Sequence, residues 1–484
     1  MAVKKVLNNR LKTIVEFVSL SGMDILSILG IFRLSTIIRT DLLPRIYAGF
    51  PPEPPFRNFI SAWWIFFLWV FLFYYEGLYT KRFAFWDEIK ALWKTSFFST
   101  IGIFTIISIG KLSDDISRTV IILSGVIAIL LLPLIRIASK KVLRRLCFLS
   151  RRVLILGAGD TGRLIARALR KEPNYGYEVV GFLDDDPEKV GEEVDGIKVH
   201  RGVDKASSYI KSCGISDIFI AMPSAGKERL QGLINNLQHK VERILFVPDM
   251  FGVAVLGTSL QHFFHEQAFA LEVKNNLERP FNVFIKKCFE LFFSVLFALF
   301  MFIPMALIAI LIKLDSKGPV MFFQDRVGKK GKGFKCYKFR TMYRDAGERL
   351  QELLESNEEA RTEWGKFWKL KDDPRITRVG RFLRRTSLDE LPQIFNVLKG
   401  DMSLVGPRPV TQDEIDKYYK DRADLCFSVT PGITGLWQVS GRSNTSYEYR
   451  IALDSWYVRN WNLWLDIIIL FKTVNVVLRG DGAR

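Results

Sequence analysis

Long apolar segments dominate the first third of the chain. Each is close to the roughly 20 residues that cross a bilayer as a helix, and there are four of them: residues 14–38, 59–79, 92–110 and 120–137. The first fits least well, because it contains Glu16, Asp24 and Arg33. Tryptophans near the ends of the segments are typical of anchors at a membrane interface: Trp63, Trp64, Trp69, Trp86 and Trp93. The pattern predicts a domain of four transmembrane helices over residues 1–140.

Basic residues flank this domain and predict its orientation. Four precede the first apolar segment, and seven follow the fourth: Lys4, Lys5, Arg10, Lys12, then Arg136, Lys140, Lys141, Arg144, Arg145, Arg151 and Arg152. The loops 39–58 and 111–118 are poorer in such residues. Since cytoplasmic loops carry the excess of Lys and Arg, both ends of the domain are expected in the cytoplasm. No small-residue cleavage site follows the first segment, so we expect a retained anchor.

From residue 141 to 250 the pattern changes to alternating strands and helices. "RRVLILGAGDTGRLIARALRK" combines a short apolar strand, a glycine turn and a helix, and Gly157, Gly159 and Gly162 have the spacing of a dinucleotide-binding turn. "YEVVGFLDDDP" adds a strand ending at Asp184, where a ribose-binding acid is expected. "ISDIFIAMP" and "RILFVPD" are typical of further parallel strands. A Rossmann-like module is predicted, either binding a nucleotide or retained as a sensor or scaffold.

A linker is expected over residues 251–280, followed by a second kind of membrane segment. Residues 281–312 are apolar and long enough to cross a bilayer, but Pro304 lies inside them. A proline within a helix removes a hydrogen bond and bends the axis. Both flanks are basic, whereas a crossing helix has one basic flank. We therefore expect a re-entrant helix that breaks near Pro304 and returns to the cytoplasmic face; the alternative is a plain fifth span.

Candidate chemistry is concentrated in the last 200 residues. "KCYKFRTM" alternates cationic and apolar side chains, which predicts a strand with one basic face. In "LRRTSLDELPQIFNVLKGDMSLVGPRP", Ser387 is placed to cap a helix whose first turn holds Asp389 and Glu390. A helix N-terminus favours carboxylates or bound phosphate. Arg384 stands just upstream, where its guanidinium can pair with phosphate oxygens.

Adjacent carboxylates on a helix point about 100° apart, which suits two separate roles better than a shared proton. One can attack an electrophile while the other orients it or holds a metal. Mg²⁺ prefers oxygen ligands beside phosphate, and an aspartate can form an acyl phosphate. The plain alternative is a helix start whose acids complement the dipole. The dense arginines and the downstream "GPRP" favour the chemical interpretation.

Two glycine- and proline-rich loops complete the candidate site. "SLVGPRPV" holds Arg408 between two prolines, and "TPGITGLWQVSGR" ends in Arg442. Both are interpreted as loops that hold cations in fixed positions. The tail "WYVRNWNLWLDIIILFKTVNVVLRG" is expected to be an amphipathic helix at the membrane interface.

Composition narrows the partners. Over 484 residues the chain is 49% hydrophobic and carries a formal charge of +18, which fits nucleic acid, an anionic membrane or a phosphorylated substrate. The cations lie beside membrane segments and in phosphate-like loops, so nucleic-acid binding is not expected. Five scattered cysteines without a Cys-x-x-Cys pair indicate free thiols in a reducing compartment.

Together, "KFRTM", "RRTSLDELPQIFNVLKGDMSLVGPRP" and "PGITGLWQVSGR" closely resemble the bacterial sugar transferases known as monotopic phosphoglycosyl transferases. The resemblance is strongest over residues 281–484, the expected catalytic domain. The four predicted spans and the Rossmann-like module resemble the large form of that family. The fold this implies is a membrane protein, α plus α/β, with its α/β catalytic domain at the membrane interface.

The resemblance implies an enzyme that transfers a sugar 1-phosphate, galactose or glucose, from a UDP-sugar to undecaprenyl phosphate and releases UMP. Asp389 matches the nucleophile, which would form a phosphosugar intermediate and hold Mg²⁺. Glu390 matches its partner acid. Four cations match substrate-binding positions: Lys338, Arg384, Arg408 and Arg442. Asp454 matches a recurring acid of open role. Pro304 matches the proline of the re-entrant helix, although Ile303 stands where the family often has serine.

The same resemblance implies the first membrane step of O-antigen, capsule or exopolysaccharide synthesis. It places the protein in the bacterial inner membrane, with its catalytic domain on the cytoplasmic face, and makes a homodimer reasonable. Two alternatives come from other classes. A membrane-anchored nucleotide-sugar dehydratase would need a Tyr-x-x-x-Lys pair, which the sequence lacks. A non-enzymatic regulator of polysaccharide export would use only the glycine turn, and would keep its function without Asp389.

Overall fold

The computed structural model describes residues 2–47, 63–112, 116–146, 148–248, 259–263, 268–272, 276–277, 279–367, 370, 373–441 and 446–479. Its contacts divide the chain into two compact units, Met1–Met250 and Phe251–Arg484. The predicted boundaries at residues 140/141 and 280/281 stay predictions.

Apolar helices form the first part of the first unit. They are α1 (Ala2–Ile37), continued by a π-helical turn (Ile38–Leu42) and α2 (Leu43–Ile46), then α3 (Trp63–Glu76), α4 (Phe85–Ile109) and α5 (Arg118–Arg145). By length and composition, Ile14–Ile46, α4 and α5 are long and apolar enough to cross a membrane, whereas α3 is shorter. The start of the predicted second span, residues 59–62, lies outside the described residues. The apolar helices α1, α3 and α4 share a core that contains Ile28, Trp69, Phe73 and Ile103.

Two of the three charged residues of the first apolar segment, Glu16 and Asp24, lie in buried ion pairs, whereas Arg33 is exposed. Asp24 of α1 accepts a hydrogen bond from Arg136 of α5, which is 2% exposed. The Nε of Arg136 lies 3.1 Å from Glu88 of α4, and Lys140 approaches the same carboxylate at 2.6 Å. Buried charges are tolerated when they are paired. Asp24 therefore does not argue against a membrane helix, because its partner lies on a neighbouring one.

An α/β sandwich follows in the same unit. Its strands are β1 (Arg151–Leu156), β2 (Tyr177–Asp184), β3 (Glu193–Val194), β4 (Ile197–Arg201), β5 (Asp217–Ile220) and β6 (Arg243–Phe246), in the order β3-β4-β2-β1-β5-β6. All neighbours are parallel except β3 with β4. The helices are α6 (Asp160–Lys171), α7 (Ala206–Cys213) and α8 (Lys227–Leu237), with short 3-10 turns at Pro173–Tyr175 and Val203–Lys205.

The burial of the central strands accounts for the short apolar runs that predicted them. Val153, Leu154 and Ile155 of β1 are fully or almost fully buried, because helices cover both faces of a parallel sheet. Gly157 has a φ of +100°, and a Cβ on Gly162 would lie 2.0 Å from the Gly157 carbonyl oxygen. Only glycine allows this turn and this close approach of helix to strand. The Rossmann-like prediction is confirmed at the level of the fold.

An ion pair and a hydrogen bond of a charged side chain join the helical and α/β parts of the first unit. Glu16 of α1 accepts hydrogen bonds from Arg82 at 2.8 Å and from Arg151, the first residue of β1, at 3.2 Å. Arg151 also pairs with Glu242, and Arg243 donates to the carbonyl of Thr80. The amino-terminal edge of the sheet thus faces the ends of the apolar helices.

The second unit begins with a hairpin of β7 (Ser259–Phe263) and β8 (Ala268–Glu272) inside the predicted linker. After α9 (Pro280–Asp315), β9 (Met321–Val327) and β10 (Gly333–Phe339) pair antiparallel. The remaining elements are α10 (Ala346–Ser356), α11 (Glu358–Phe367), α12 (Arg378–Thr386), α13 (Gln393–Lys399), β11 (Ser403–Val405), α14 (Gln412–Glu414), α15 (Ala423–Cys426), β12 (Gly432–Thr434), α16 (Tyr447–Asn460) and α17 (Leu463–Arg479). Short helical turns occur at Lys329–Gly331, Leu388–Glu390, Ile415–Tyr419 and Lys420–Arg422, and β11 pairs parallel with β12.

The predicted break of the membrane helix at Pro304 needs a correction. The structure has one α-helix from Pro280 to Asp315, and Pro304 lies inside it without interrupting the helical assignment. Proline costs a single backbone hydrogen bond, and the long apolar turns on both sides continue the helix. That α9 is re-entrant, and leaves the membrane on the same face by which it enters, stays a prediction.

We predict that Arg136→Met destabilises the protein by about 3–5 kcal/mol, because it leaves the buried carboxylate of Asp24 without its cation. Thermal unfolding of the detergent-purified full chain, followed by circular dichroism, measures the effect. Arg145→Met, an exposed position on the same helix, is the matched control and should change the midpoint little. Equal midpoints for the two variants would contradict a stabilising role of the buried pairs.

Candidate active site

A large cavity of about 1540 Å³ lies within the second unit. One side is polar and comes from β10, α12 and the turns that follow them. The other is apolar and comes from two helices, α9 with Phe293, Phe297 and Phe300, and α17 with Leu470 and Val474. The cavity therefore has a charged end and an apolar cleft, which lies between α9 and α17. Such a shape fits an amphipathic molecule with a charged head and a long apolar chain.

The turn that carries the two acids differs from the predicted one. Ser387 has a left-handed backbone conformation, with φ +56°, and ends α12; its side chain makes no capping hydrogen bond. Asp389 and Glu390 then lie in a three-residue 3-10 turn, Leu388–Glu390. The helix cap instead lies upstream, where Thr377 accepts from the backbone of Gly380 at 2.9 Å. A capping motif read from sequence gave the wrong position, because a chain reversal separates α12 from α13.

The two carboxylates have different partners. Glu390 Oε1 lies 2.8 Å from the Nζ of Lys338 and 3.8 Å from the Nη2 of Arg408. Burial and then the charge of Glu390 raise the pKa of Asp389 to about 6, although Lys338 and Arg384 oppose the shift. Both acids line the cavity. The two acids therefore differ in their surroundings: Glu390 lies next to two cations, whereas Asp389 is a half-buried carboxylate with a raised pKa. Their separate roles stay a prediction.

Three of the four predicted cations meet at this turn. Lys338 projects from β10, Arg384 from α12 and Arg408 from the loop after β11, and all three line the cavity. Arg384 is anchored by a hydrogen bond of 2.9 Å to the hydroxyl of Thr341. Arg442 lies outside the described residues. The arrangement surrounds the acids with positive charge, which is what a phosphorylated ligand requires.

Asn396 is a positioning residue that the sequence reasoning missed. Its buried amide accepts from the backbone N–H of Tyr337 at 3.0 Å and donates to the carbonyl of Lys335 at 2.8 Å. The side chain thus satisfies the free edge of β10 next to Lys338. An asparagine within the apolar run "LPQIFNVL" was the available signal, since a buried amide needs partners.

The loop that carries Arg408 is held by a close crossing of two backbones. Gly406 donates to the carbonyl of Thr434 at 2.9 Å. A Cβ on Gly432 would lie 2.1 Å from the backbone nitrogen of Gly406. Arg408 also lies over the ring of Trp437, at 5.9 Å from its centroid. Gly406 and Gly432 therefore allow the two loops to pack closely against each other.

Asp454 lies beside this site and does not line the cavity. It is 1% exposed, accepts from the hydroxyl of Tyr419 at 3.3 Å, and lies 3.9 Å from Arg450. Burial raises its pKa to about 7, against the opposing charge of Arg450. Arg450 in turn lies over the Trp437 ring, at 4.8 Å from its centroid. Asp454 is thus placed behind Trp437 and the cations.

A divalent metal fits the donor set of the acidic turn. Within the described ranges, His, Cys, Asp and Glu form no cluster of three or more that could hold a metal alone. Mg²⁺ does not need one, because it keeps several waters and binds through one or two carboxylates together with substrate phosphates. Asp389, which has a carboxylate facing the cavity, is the residue that would hold it.

The acid predicted to bind a ribose in the Rossmann-like module makes local contacts. Asp184 accepts from the backbone nitrogen of Ala158, within the glycine turn, at 2.7 Å, and from that of Asp186 at 3.0 Å. Its carboxylate therefore fixes the Gly157–Gly162 turn against the end of β2. Nucleotide binding at this turn stays a prediction.

Comparison with known proteins places the chain in a family. Residues 281–480 match the bacterial sugar transferase family, and residues 73–248 match a CoA-binding domain family. A UDP-galactose-lipid carrier transferase of Erwinia amylovora and an undecaprenyl-phosphate galactose phosphotransferase of Salmonella typhimurium are each 39% identical, over 84% of both chains. A UDP-glucose:undecaprenyl-phosphate glucose-1-phosphate transferase of Klebsiella pneumoniae is 33% identical over 79% of both chains.

This protein belongs to the bacterial sugar transferases. It is a membrane α/β member of that family, and the resemblance read from its motifs is confirmed.

We predict that sugar transfer fails as the pH falls through about 6, rather than near the ordinary aspartate value of about 4. The reason is that a raised pKa leaves Asp389 protonated below that pH, and a protonated carboxyl cannot act as the nucleophile that the family resemblance implies. A pH–rate profile of kcat/KM from pH 5 to 8 measures the effect. A flat profile down to pH 5 would contradict the raised pKa.

Proposed function

We propose that this enzyme transfers a hexose 1-phosphate from a UDP-sugar to undecaprenyl phosphate and releases UMP. The observation that carries the proposal is the cavity itself. Its polar end combines Asp389 and Glu390 with three cations, and its other end is the apolar cleft between α9 and α17. A lipid phosphate can place its head at the acids while its chain occupies the cleft. The names of the relatives agree with this substrate pair.

The reaction proceeds in two displacements at one phosphorus. In the first, a carboxylate oxygen of Asp389 attacks the β-phosphorus of the UDP-sugar. The bond from that phosphorus to the bridging oxygen breaks, and UMP leaves with the electron pair. In the second, a phosphate oxygen of the lipid attacks the same phosphorus, the bond to Asp389 breaks, and the carboxylate is regenerated. No net proton or electron is consumed, and a covalent intermediate divides one difficult step into two.

The neighbouring side chains stabilise negative charge during both steps. Lys338 and Arg408, held by Glu390, and Arg384, held by Thr341, are placed to neutralise phosphate oxygens. Asp389 would hold Mg²⁺, which would supply further positive charge at the phosphate. Glu390 is not the nucleophile. Its role is to keep Lys338 and Arg408 at the turn.

Contacts of α9 support a catalytic domain on a single membrane face. Near its start, Lys286 pairs with Asp466 of α17, and near its end, Ile312 packs against Phe339 and Leu383. Between them, large side chains such as Phe300 and Phe302 are more than 70% exposed, as expected of a lipid-facing stretch. Because both ends contact the same domain, these contacts favour a re-entrant course. The basic residues on both flanks of α9 assign that domain to the cytoplasmic face.

The donor sugar is galactose or glucose, and the product is the first lipid-linked sugar of O-antigen, capsule or exopolysaccharide synthesis. Relatives named for each sugar align over most of the chain, so identity alone does not choose between them. The hydroxyl stereochemistry of the donor must be read by side chains within the cavity. A panel of donors therefore has to include both sugars.

We predict that the purified full chain, with Mg²⁺ and undecaprenyl phosphate, releases UMP from UDP-galactose or UDP-glucose. Asp389→Asn removes the nucleophile with little change in shape, and should lower the rate by about a thousandfold or more. Asp413→Asn, at an exposed position outside the cavity, is the matched control and should keep the full rate.

Two results would contradict this account. Absence of UMP with every UDP-sugar tested would exclude the proposed reaction. Release of UMP by Asp389→Asn at the wild-type rate would leave the reaction in place, but would remove Asp389 from it.

A further inference from the structure

A buried polar network joins the membrane helix α9 to the phosphate-binding loop. Lys286, near the start of α9, lies at its centre. Its Nζ is 2.6 Å from Asp466 Oδ2 of α17, 3.0 Å from Glu290 and 3.1 Å from the carbonyl oxygen of Val405. The hydroxyl of Tyr457 is within 3.3 Å of the same Nζ. One ammonium therefore contacts α9, β11, α16 and α17.

The rest of the network is fully enclosed. Asp466 is 1% exposed, and it accepts from Tyr457 at 2.7 Å and from the indole of Trp461 at 2.9 Å. The Tyr457 hydroxyl also lies 2.9 Å from the Val405 carbonyl oxygen. A buried ion pair of this kind adds little net stability, but each partner fixes the other, because an unpaired charge is costly there. The geometry is thus specific and hard to relax.

The pair stands where the two walls of the apolar cleft begin. Phe293 lies about two helical turns after Lys286 on α9, and Leu470 lies about one turn after Asp466 on α17. Both Phe293 and Leu470 line the cavity. The Lys286–Asp466 contact therefore sets the spacing of the cleft walls at the end nearest the network.

The same network fixes the loop that carries Arg408. Val405 ends β11, and Gly406 and Pro407 are the only residues between it and Arg408. Pro407 restricts the backbone between Val405 and Arg408. A shift of the Val405 carbonyl would therefore also shift Arg408. The network thereby connects the spacing of the lipid cleft to the position of a phosphate-binding guanidinium.

We propose that Lys286 and Asp466 form a positioning pair, which aligns the chain of the lipid acceptor with the phosphate site. This inference rests on the proposed function, and neither residue lines the cavity. Losing the pair should impair use of the acceptor, which occupies the cleft, more than use of the sugar nucleotide. The sugar nucleotide reaches only the polar end, where Lys338 and Arg384 keep their own anchors in Glu390 and Thr341. A purely structural role would impair both substrates alike.

The test is Lys286→Met in the full chain, reconstituted in nanodiscs and assayed for UMP release from UDP-galactose and from UDP-glucose. We expect kcat/KM for undecaprenyl phosphate to fall by about tenfold or more, because small misplacements of a bound reactant are expensive. The KM for the sugar nucleotide should stay within about twofold of the wild-type value. Lys286→Arg, which keeps the charge and the donors, should restore part of the acceptor efficiency.

Controls separate this effect from a folding defect. Lys287→Met changes an exposed neighbour on the same helix and should leave both parameters unchanged. Should Lys286→Met not fold, Asp466→Asn removes the charge of the pair while keeping the shape of the side chain, and should shift acceptor efficiency in the same direction. Equal losses for both substrates in the folded variants would overturn the proposal, whereas a wild-type protein that releases no UMP would overturn the proposed function on which it rests.

Discussion

The proposed reaction depends on one electrostatic constraint: a carboxylate has to approach a phosphate that is itself negatively charged. Asp389 lies half-buried at the end of an apolar cleft, where like charges repel strongly because water is scarce. Lys338, Arg384 and Arg408 lie around the turn and offset this repulsion with positive charge. Glu390 pairs with Lys338 and Arg408. In the proposed mechanism, these cations let the sugar nucleotide and the lipid phosphate approach Asp389.

The surrounding fold holds these charges at one end of the apolar cleft. Lys338 depends on β10, whose edge is completed by Asn396, and Arg408 depends on the crossing of Gly406 and Gly432. α9 contacts the catalytic domain near both of its ends, so its exposed apolar stretch and the charged turn are held by the same domain. Pairing of buried charges recurs in the first unit, where Arg136 joins three helices through Asp24, Glu88 and the carbonyl of Leu78.

Periodic patterns were enough to predict most elements of the fold. The apolar segments, the strands around Gly157 and the basic strand "KCYKFRTM" are local signals, because each depends on a repeated hydrophobic face. The pairing of Asp24 with Arg136 could not be predicted, since it joins residues 112 positions apart. Pro304 was misleading, because a proline predicts a lost hydrogen bond but does not by itself end a long apolar helix.

The site was predicted through its motifs, and its details were not. Asp389, Glu390, Lys338, Arg384 and Arg408 were all named from sequence and meet in one cavity. The cap by Ser387 was wrong, because a left-handed residue there reverses the chain instead of starting a helix. Asn396 and the Lys286–Asp466 network were missed, because hydrogen bonds between distant segments leave no local pattern.

The central claim is that Asp389 itself carries the sugar phosphate between the two substrates. Peptide mass spectrometry of the enzyme, incubated with its UDP-sugar in the absence of undecaprenyl phosphate, tests it directly. The account predicts one added hexose phosphate on the peptide that contains Asp389, lost again when the lipid acceptor is supplied. An unmodified peptide from an enzyme that turns over with both substrates present would show direct transfer and contradict the account.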